Sequence, residues 1–338
     1  MTIQIAIVGF GRIGRNIFRI LHAQDEIQVV AIADIAEPKT MEYLLRYDTV
    51  HGRFPDPVSA KGDYFYVKGR QIRYLTAREP GEVNWKELGA DIVVEATAKY
   101  RTKAWLQKHL TAGAKRVVLT APATDEVDAV IVRGVNDHML KPSHRLISTS
   151  SVTTNCVTPI LKILNDAFGV DRAFMTTVHA YTNDQRLADV PHTDLRRSRA
   201  AAENIIPTET YAPKTIARIL PELAGKLDGM AMNVPVPDGS MVDLVTETSR
   251  PVTVEAVNEV VRSAAGSRYK GIVDYVDDPI VSSDVIGDPH SAIFDSLSTS
   301  VMGDRMVKTL AWYDNGWGYA CRVVEVIRRL ASFEGALS

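Results

Sequence analysis

A chain of 338 residues holds more material than one ordinary core needs, so two domains of roughly 150 residues each are expected. Hydrophobic residues make up 46% and charged residues 24%, which argues against disordered and fibrous classes. The 39 basic and 41 acidic residues leave a net charge of -2, so composition gives no reason to expect nucleic acid or a membrane as partner. No apolar run is long enough to span a bilayer. The opening MTIQIAIVGFGRIGR lacks the basic start, apolar core and cleavage site of a secretory signal, and a cytoplasmic protein is expected. The two cysteines, Cys156 and Cys321, are too few for a disulfide framework or a four-ligand zinc site. The expectation is a small-molecule partner and no metal.

Residues 3–8 form a short apolar run closed by glycines, and apolar residues then recur at helical spacing over 13–21: a strand, a tight turn and a helix. Further apolar strands are predicted at 28–33, 91–96, 116–119 and 129–132, separated by helical or mixed stretches such as 103–112. This alternation is that of a doubly wound, Rossmann-type parallel sheet with helices on both faces. Beyond about residue 150 longer strands are predicted at 174–178, 231–236 and 241–248, with a helix at 254–265. They suit an α+β domain with a mixed sheet. Residues 181–210 have little apolar periodicity and several arginines, and a segment of that length is usually functional or buried between subunits.

Gly9, Gly11 and Gly14 form a G-x-G-x-x-G turn directly after the first strand and at the head of the first helix. In that setting the first glycine allows the tight turn, the second admits a pyrophosphate and the third lets helix and strand pack closely. Asp34 lies twenty residues beyond Gly14 at the end of the second strand, where a carboxylate accepts both ribose hydroxyls. Its charge repels a 2′-phosphate and no arginine follows it directly, so NAD is expected over NADP. The cofactor-binding set begins with Gly9, Gly11, Arg12, Ile13, Gly14 and Asp34.

Five segments, GFGRIGR, RYDTVHGRF at 46–54, TTVHAYTNDQR at 176–186, DLRRSRAAAENIIPT at 194–208 and AWYDN at 311–315, closely resemble the glyceraldehyde-3-phosphate dehydrogenases. The matches run in order through nearly the whole chain. The resemblance implies an NAD domain over 1–151, a catalytic domain over 152–316 with the interface segment 181–210, and a C-terminal helix over about 317–338 that packs back on the NAD domain. It also implies a tetramer, either of identical subunits or mixed with an active relative. In that family a cysteine thiolate attacks an aldehyde, a histidine activates the thiol, hydride passes to nicotinamide and phosphate releases the thioester. His179 matches the histidine, and Thr97 and Asn315 match cofactor contacts, Asn315 at the nicotinamide carboxamide.

The family's nucleophile is the first cysteine of S-C-T-T-N-C, whereas residues 151–156 here read S-V-T-T-N-C. Val152 stands at the nucleophile's position and has neither lone pair nor ionisable proton. Cys156 matches the second cysteine and falls one helical turn further on if the segment is a helix, as a displaced nucleophile or as a packing residue. Thr182 and Asp184 match positions beside the nicotinamide and the substrate phosphate, but the arginine that would clamp that phosphate is Asn233. Ser151, Thr153 and Thr208 match the inorganic-phosphate site, while the glycine expected there is Tyr211. Arg197 and Arg199 are nearby cations. Other departures are Val8, Ala33, Ala98 after Thr97, and Gly316 after Asn315.

Three functions fit these residues: an oxidoreductase with another substrate and His179 as base, a non-catalytic NAD-binding protein that regulates or assembles with an active relative, and the ordinary family reaction through Cys156. Retained His179 favours the first.

Overall fold

The computed structural model describes residues 2–333. They form two compact units. The first comprises residues up to 131, residues 136–151 and the chain from residue 320, and the second comprises 132–135 and 152–319.

In the first unit, strand Ile3–Val8 lies at the centre of a nine-stranded sheet between Ile27–Asp34 and Ile92–Glu95, both parallel to it. Arg116–Leu119, Leu146–Ser148 and Ala129–Val130 continue the parallel pairing on one side. Ile92–Glu95 and Arg116–Leu119 are buried along their whole length, as strands covered on both faces must be. On the other side Arg70–Thr76 is still parallel to Ile27–Asp34, after which Tyr64–Val67 and Val58–Lys61 fold back antiparallel. This antiparallel arm and the helix Pro38–Arg46 are absent from the sequence reading. Their tyrosines, lysines and arginines mask the apolar alternation. Helix Lys103–Thr111 is capped by the Thr102 side chain, which accepts from the Trp105 amide.

The second unit is an eight-stranded mixed sheet in which Val170–Ala180 lies between a parallel neighbour, Leu227–Val234, and an antiparallel one, Ser240–Thr248. The sheet continues through Met306–Tyr313, Ala292–Asp295 and Val273–Val276 on one side and ends at Ile206–Thr208 on the other. Ser240–Thr248 alternates strictly between buried and half-buried residues, so one face of the sheet is core. Helices Val152–Phe168 and Val254–Gly266 pack on each other, and the first also packs on the sheet. Helix Val152–Phe168 is buried over most of its length and accommodates Pro159. The architecture is a Rossmann-type parallel sheet domain followed by a mixed-sheet domain.

Element boundaries differ from the sequence reading in three instructive places. The strand expected at 174–178 spans Val170–Ala180, so His179 is a strand residue rather than a loop residue after a strand. Residues 181–210, expected as loop, end in the short strand Ile206–Thr208. The helix expected at about 317–338 runs over Trp317–Ser332, and residues 334–338 lie outside the described residues.

Candidate functional site

The glycine turn shows why each glycine stands where it does. Gly9 has φ +86°, and a Cβ there would stand 2.7 Å from the Thr97 amide nitrogen. A Cβ on Gly14 would stand 2.1 Å from the Gly9 carbonyl oxygen, so helix and turn touch at that point. Gly11 differs, because a Cβ there would meet nothing within 4 Å. The protein itself does not demand a glycine at 11. Open space over the N-cap of helix Arg12–Leu21, with no side chain capping it, is what an incoming pyrophosphate requires.

Asp34 is locked to the same turn. Its Oδ2 accepts from the Phe10 amide at 2.6 Å and its Oδ1 from the Ala36 amide at 3.0 Å. Each carboxylate oxygen keeps a further lone pair for a ribose hydroxyl. Arg12 and Ile13 open the helix, half-buried beside the turn. Thr97 is held by a buried chain that sequence reasoning missed. Its amide (3.0 Å) and hydroxyl (2.5 Å) donate to Glu95 Oε1, His109 Nε2 lies 3.0 Å from Glu95 Oε2, and Trp85 Nε1 donates to His109 Nδ1 at 3.1 Å. Because Trp85 donates to Nδ1, the proton on a neutral His109 resides on Nε2, facing the carboxylate. Ala98, next to Thr97, sits at φ +56°, a left-handed conformation that suits glycine.

The second unit carries a polar cluster at the C-terminal end of Val170–Ala180. His179 is half-buried, and its Nδ1 lies 2.6 Å from the Ala180 carbonyl oxygen. That contact sets Nδ1 as the donor and leaves the lone pair of the neutral ring on Nε2. The ring stands edge-on to Tyr313 with centroids 6.1 Å apart. Tyr313 is fully buried, its hydroxyl 3.0 Å from Thr153 Oγ1 and 2.9 Å from Thr177 Oγ1, and burial pushes its pKa up. Asn315 is 6% exposed, and its Oδ1 accepts from Ser240 Oγ at 2.9 Å, which leaves its NH2 as the donor of the side chain. Ser240 Oγ also accepts from the Ala180 amide, so Asn315 and the His179 segment are braced through one hydroxyl. Asp314 caps the following helix through the Gly316 and Trp317 amides.

The anion-binding candidates fall into two connected groups. Thr182 donates its hydroxyl to Asp184, Asp184 pairs with Arg197 Nη1 at 2.5 Å, and Arg197 Nε donates to Thr208 Oγ1 at 2.9 Å. Asn233 is the register partner of His179 on the parallel strand, and its Nδ2 donates to Gln185 Oε1 at 3.0 Å. Arg197, Thr208 and Tyr211 line an open cleft of about 860 Å3. Thr210 also lines it and was missed in the sequence reading. Three cations (Arg196, Arg197, Lys214) and three carboxylates (Asp194, Glu209, Asp228) offset one another there. Arg199 pairs with Asp189 at 2.9 Å instead.

Val152 is the first residue of helix Val152–Phe168, with Ser151 just before it, and Cys156 lies in the next turn. Cys156 is 0% exposed, its Sγ 3.9 Å from the Ala311 carbonyl oxygen, and burial drives the thiol pKa well above the ordinary range. A thiolate is the reactive form, and burial disfavours it at Cys156.

A phosphate-accepting glycine turn on a parallel sheet, joined in one chain to an imidazole-bearing mixed sheet, defines a two-domain nicotinamide-nucleotide dehydrogenase. Residues 3–103 match the model for the glyceraldehyde 3-phosphate dehydrogenase NAD binding domain, and residues 151–315 match the model for the C-terminal domain of the same family. Glyceraldehyde-3-phosphate dehydrogenase 2 of Bacillus subtilis is 50% identical over 333 residues, 98% of each chain. The glyceraldehyde-3-phosphate dehydrogenase of Geobacillus stearothermophilus is 49% identical over 333 residues, 98% of this chain and 99% of its own. That of Streptomyces coelicolor is 52% identical over 329 residues, 96% of this chain and 98% of its own. The chain belongs to the glyceraldehyde-3-phosphate dehydrogenase family, and its cofactor is NAD. Among the described residues no helix is long and apolar enough to cross a membrane.

Proposed function

We propose that the protein is an NAD-dependent oxidoreductase that acts on a substrate other than a phosphorylated aldehyde, with His179 as base and no covalent intermediate. The observation that carries this reading is the pair Val152 and Cys156. The position of the family nucleophile holds an alkyl group, and the remaining cysteine of the motif is buried as a neutral thiol. Loss of a covalent nucleophile costs on the order of a millionfold in rate. Asn233 adds to this, because a neutral amide replaces a charge-assisted clamp worth about 1.5–3 kcal/mol.

NAD, when bound, supplies the acceptor for the hydrogen and electron pair lost from carbon. His179 takes the hydroxyl proton of an alcohol or an aldehyde hydrate at Nε2 as the carbonyl double bond forms, and passes it to water. The products are an aldehyde or ketone from an alcohol, and a carboxylic acid from a hydrate. Asn315, braced by Ser240, holds the carboxamide of the cofactor through its NH2. Gly9, Gly11, Arg12, Ile13, Gly14, Asp34 and Thr97 form the cofactor site, and Ser151, Thr153, Thr182, Asp184, Arg197, Thr208 and Asn233 line the substrate side. Residues 1–151 form the cofactor domain, 152–316 the substrate domain, and 181–210 the interface of a cytoplasmic tetramer.

The test is incubation of the purified protein with NAD and a panel of aldehydes, alcohols, hydroxy acids and sugar phosphates while reduced cofactor is followed. Reduction that His179→Asn lowers at least a hundredfold supports the reading. Binding of NAD with no reduction across the panel makes the protein a non-catalytic homologue and overturns it.

A further inference from the structure

Two ionisable side chains of the first unit are fully buried and take no part in the chemistry above. Glu95 and His109 are both 0% exposed, and Trp85, which adjoins them, is 1% exposed. Burying a carboxylate and an imidazole is costly, and apolar residues of similar volume often fill such a space without loss of stability. The hydrogen bonds show what these polar groups do instead. Glu95 is the register partner of Val8, the residue before Gly9, so its strand ends level with the glycine turn. Its Oε1 receives both donors of Thr97, the amide at 3.0 Å and the hydroxyl at 2.5 Å, while its Oε2 faces His109 Nε2 at 3.0 Å. Trp85 Nε1 can only donate, and it meets His109 Nδ1 at 3.1 Å, which leaves the proton of the neutral ring on Nε2. Donors and acceptors thus have one arrangement from Trp85 through to Thr97.

Thr97 passes that order on to the turn. A Cβ on Gly9 would stand 2.7 Å from the Thr97 nitrogen and 2.9 Å from its Cγ2, so Thr97 is the wall against which the first glycine closes. Its hydroxyl proton is committed to Glu95, and the Lys99 amide donates to Oγ1 at 3.2 Å, which leaves one lone pair on the oxygen of a half-buried residue. Toward a ligand Thr97 Oγ1 is therefore an acceptor, open to a hydroxyl or an amide N–H. Without Glu95 the hydroxyl is free to rotate and the Thr97 amide loses its partner.

We propose that Glu95 and His109 are positioning residues for the cofactor. The Glu95 carboxylate orients Thr97 against the glycine turn, and His109, its tautomer set by Trp85, holds the carboxylate in that orientation. The inference rests on the cofactor site proposed above and stands apart from whatever the second unit does to a substrate.

The experiment is calorimetry of NAD binding to the full-length protein, with thermal midpoints measured on the same samples before NAD is added. In Glu95→Gln the amide cannot suit both neighbours. With its oxygen toward Thr97 its NH2 meets His109 Nε2–H, and rotated it meets the Thr97 amide. NAD affinity is expected to fall about tenfold, the equivalent of one hydrogen bond. Adding His109→Glu moves the carboxylate one place along the chain, where it accepts from Trp85 and from the introduced amide, and affinity is expected to return to within about threefold of the parent. His109→Gln and His109→Leu keep the test open if Glu95→Gln does not fold. The first donates to Glu95 and accepts from Trp85 as the imidazole does and is expected to bind NAD like the parent, whereas the second lacks the donor and is expected to bind about tenfold more weakly. A Glu95→Gln variant with a lowered midpoint but parental NAD affinity would make the chain a packing device and overturn the inference. So would a loss that His109→Glu does not restore, or equal binding by the two His109 variants. A parent that binds no NAD would remove the cofactor reading and the inference with it, while a failure confined to the variants leaves that reading standing.

Discussion

Replacing Ala98 with glycine should make the protein more stable, although it deletes a methyl group. Ala98 sits at φ +56° directly after Thr97, whose amide borders Gly9 and whose hydroxyl is held by Glu95. An L-residue in the left-handed region carries roughly 1–2 kcal/mol of strain. Its side chain is exposed, so truncation gives up little buried area. Glycine returns about 0.4–1 kcal/mol through the greater freedom of the unfolded chain. The difference is a net stabilisation of about 0.5–1 kcal/mol, or ~1–4 °C in midpoint for a unit of this size. Urea unfolding followed by fluorescence, with and without NAD, measures it as a shift in midpoint at constant slope. A glycine variant equal to or weaker than the parent would refute the reasoning. It would mean that the contacts around Thr97 already compensate the strain.

Three further outcomes follow from the geometry. Gly14→Ala should unfold or strongly destabilise the first unit, since its Cβ would meet the Gly9 carbonyl oxygen at 2.1 Å, whereas Gly11→Ala should fold normally and lose NAD affinity at least tenfold; calorimetry and thermal melts on both variants separate the two effects. In the native protein Cys156 should resist thiol labelling at pH 8 and react on denaturation, because its raised pKa keeps it protonated as pH rises through the range where ordinary thiols ionise; prompt native labelling at Cys156, located by mass spectrometry, would contradict its burial. Val152→Cys alone should not produce acyl phosphate from D-glyceraldehyde 3-phosphate, and adding Asn233→Arg and Tyr211→Gly should exceed the sum of single effects, since positioning is worth about 7–11 kcal/mol; acyl phosphate made by the parent and abolished by Cys156→Ser would sink this account.

The cofactor turn was legible in the sequence because its requirements are local. Three glycines, one strand, one helix and Asp34 within 26 residues state the whole geometry, and the contacts of Gly9, Gly14 and Asp34 follow from it. The mixed sheet was legible only in part. The strand expected at 174–178 is six residues shorter than Val170–Ala180, because Arg172 and His179 interrupt the apolar alternation that marks a strand. Ser240 and Tyr313 could not be found by spacing, since each acquires its partners far along the chain: Ser240 braces Ala180 and Asn315, and Tyr313 joins Thr153 to Thr177. The Trp85–His109–Glu95 chain escaped for the same reason. A lone histidine on a helix says nothing until the sheet brings a carboxylate to it.

The glycine turn of the first unit and the polar cluster of the second differ in what holds them. The phosphate turn is built from backbone. Changing Gly9 or Gly14 drives a Cβ into main-chain atoms at 2.7 and 2.1 Å, so loss of cofactor binding there would also be loss of fold. The chemistry is built from side chains standing on a sheet that does not need them. Valine at the head of helix Val152–Phe168 leaves that helix intact, and Asn233 finds a neutral partner in Gln185 without disturbing its strand. Arg197 likewise takes Asp184 as partner. Substitution at these positions therefore costs the fold little and changes what the site can hold. The NAD turn is thus kept under the same constraint that keeps the first unit folded, whereas the side chains at 152, 197 and 233 are not.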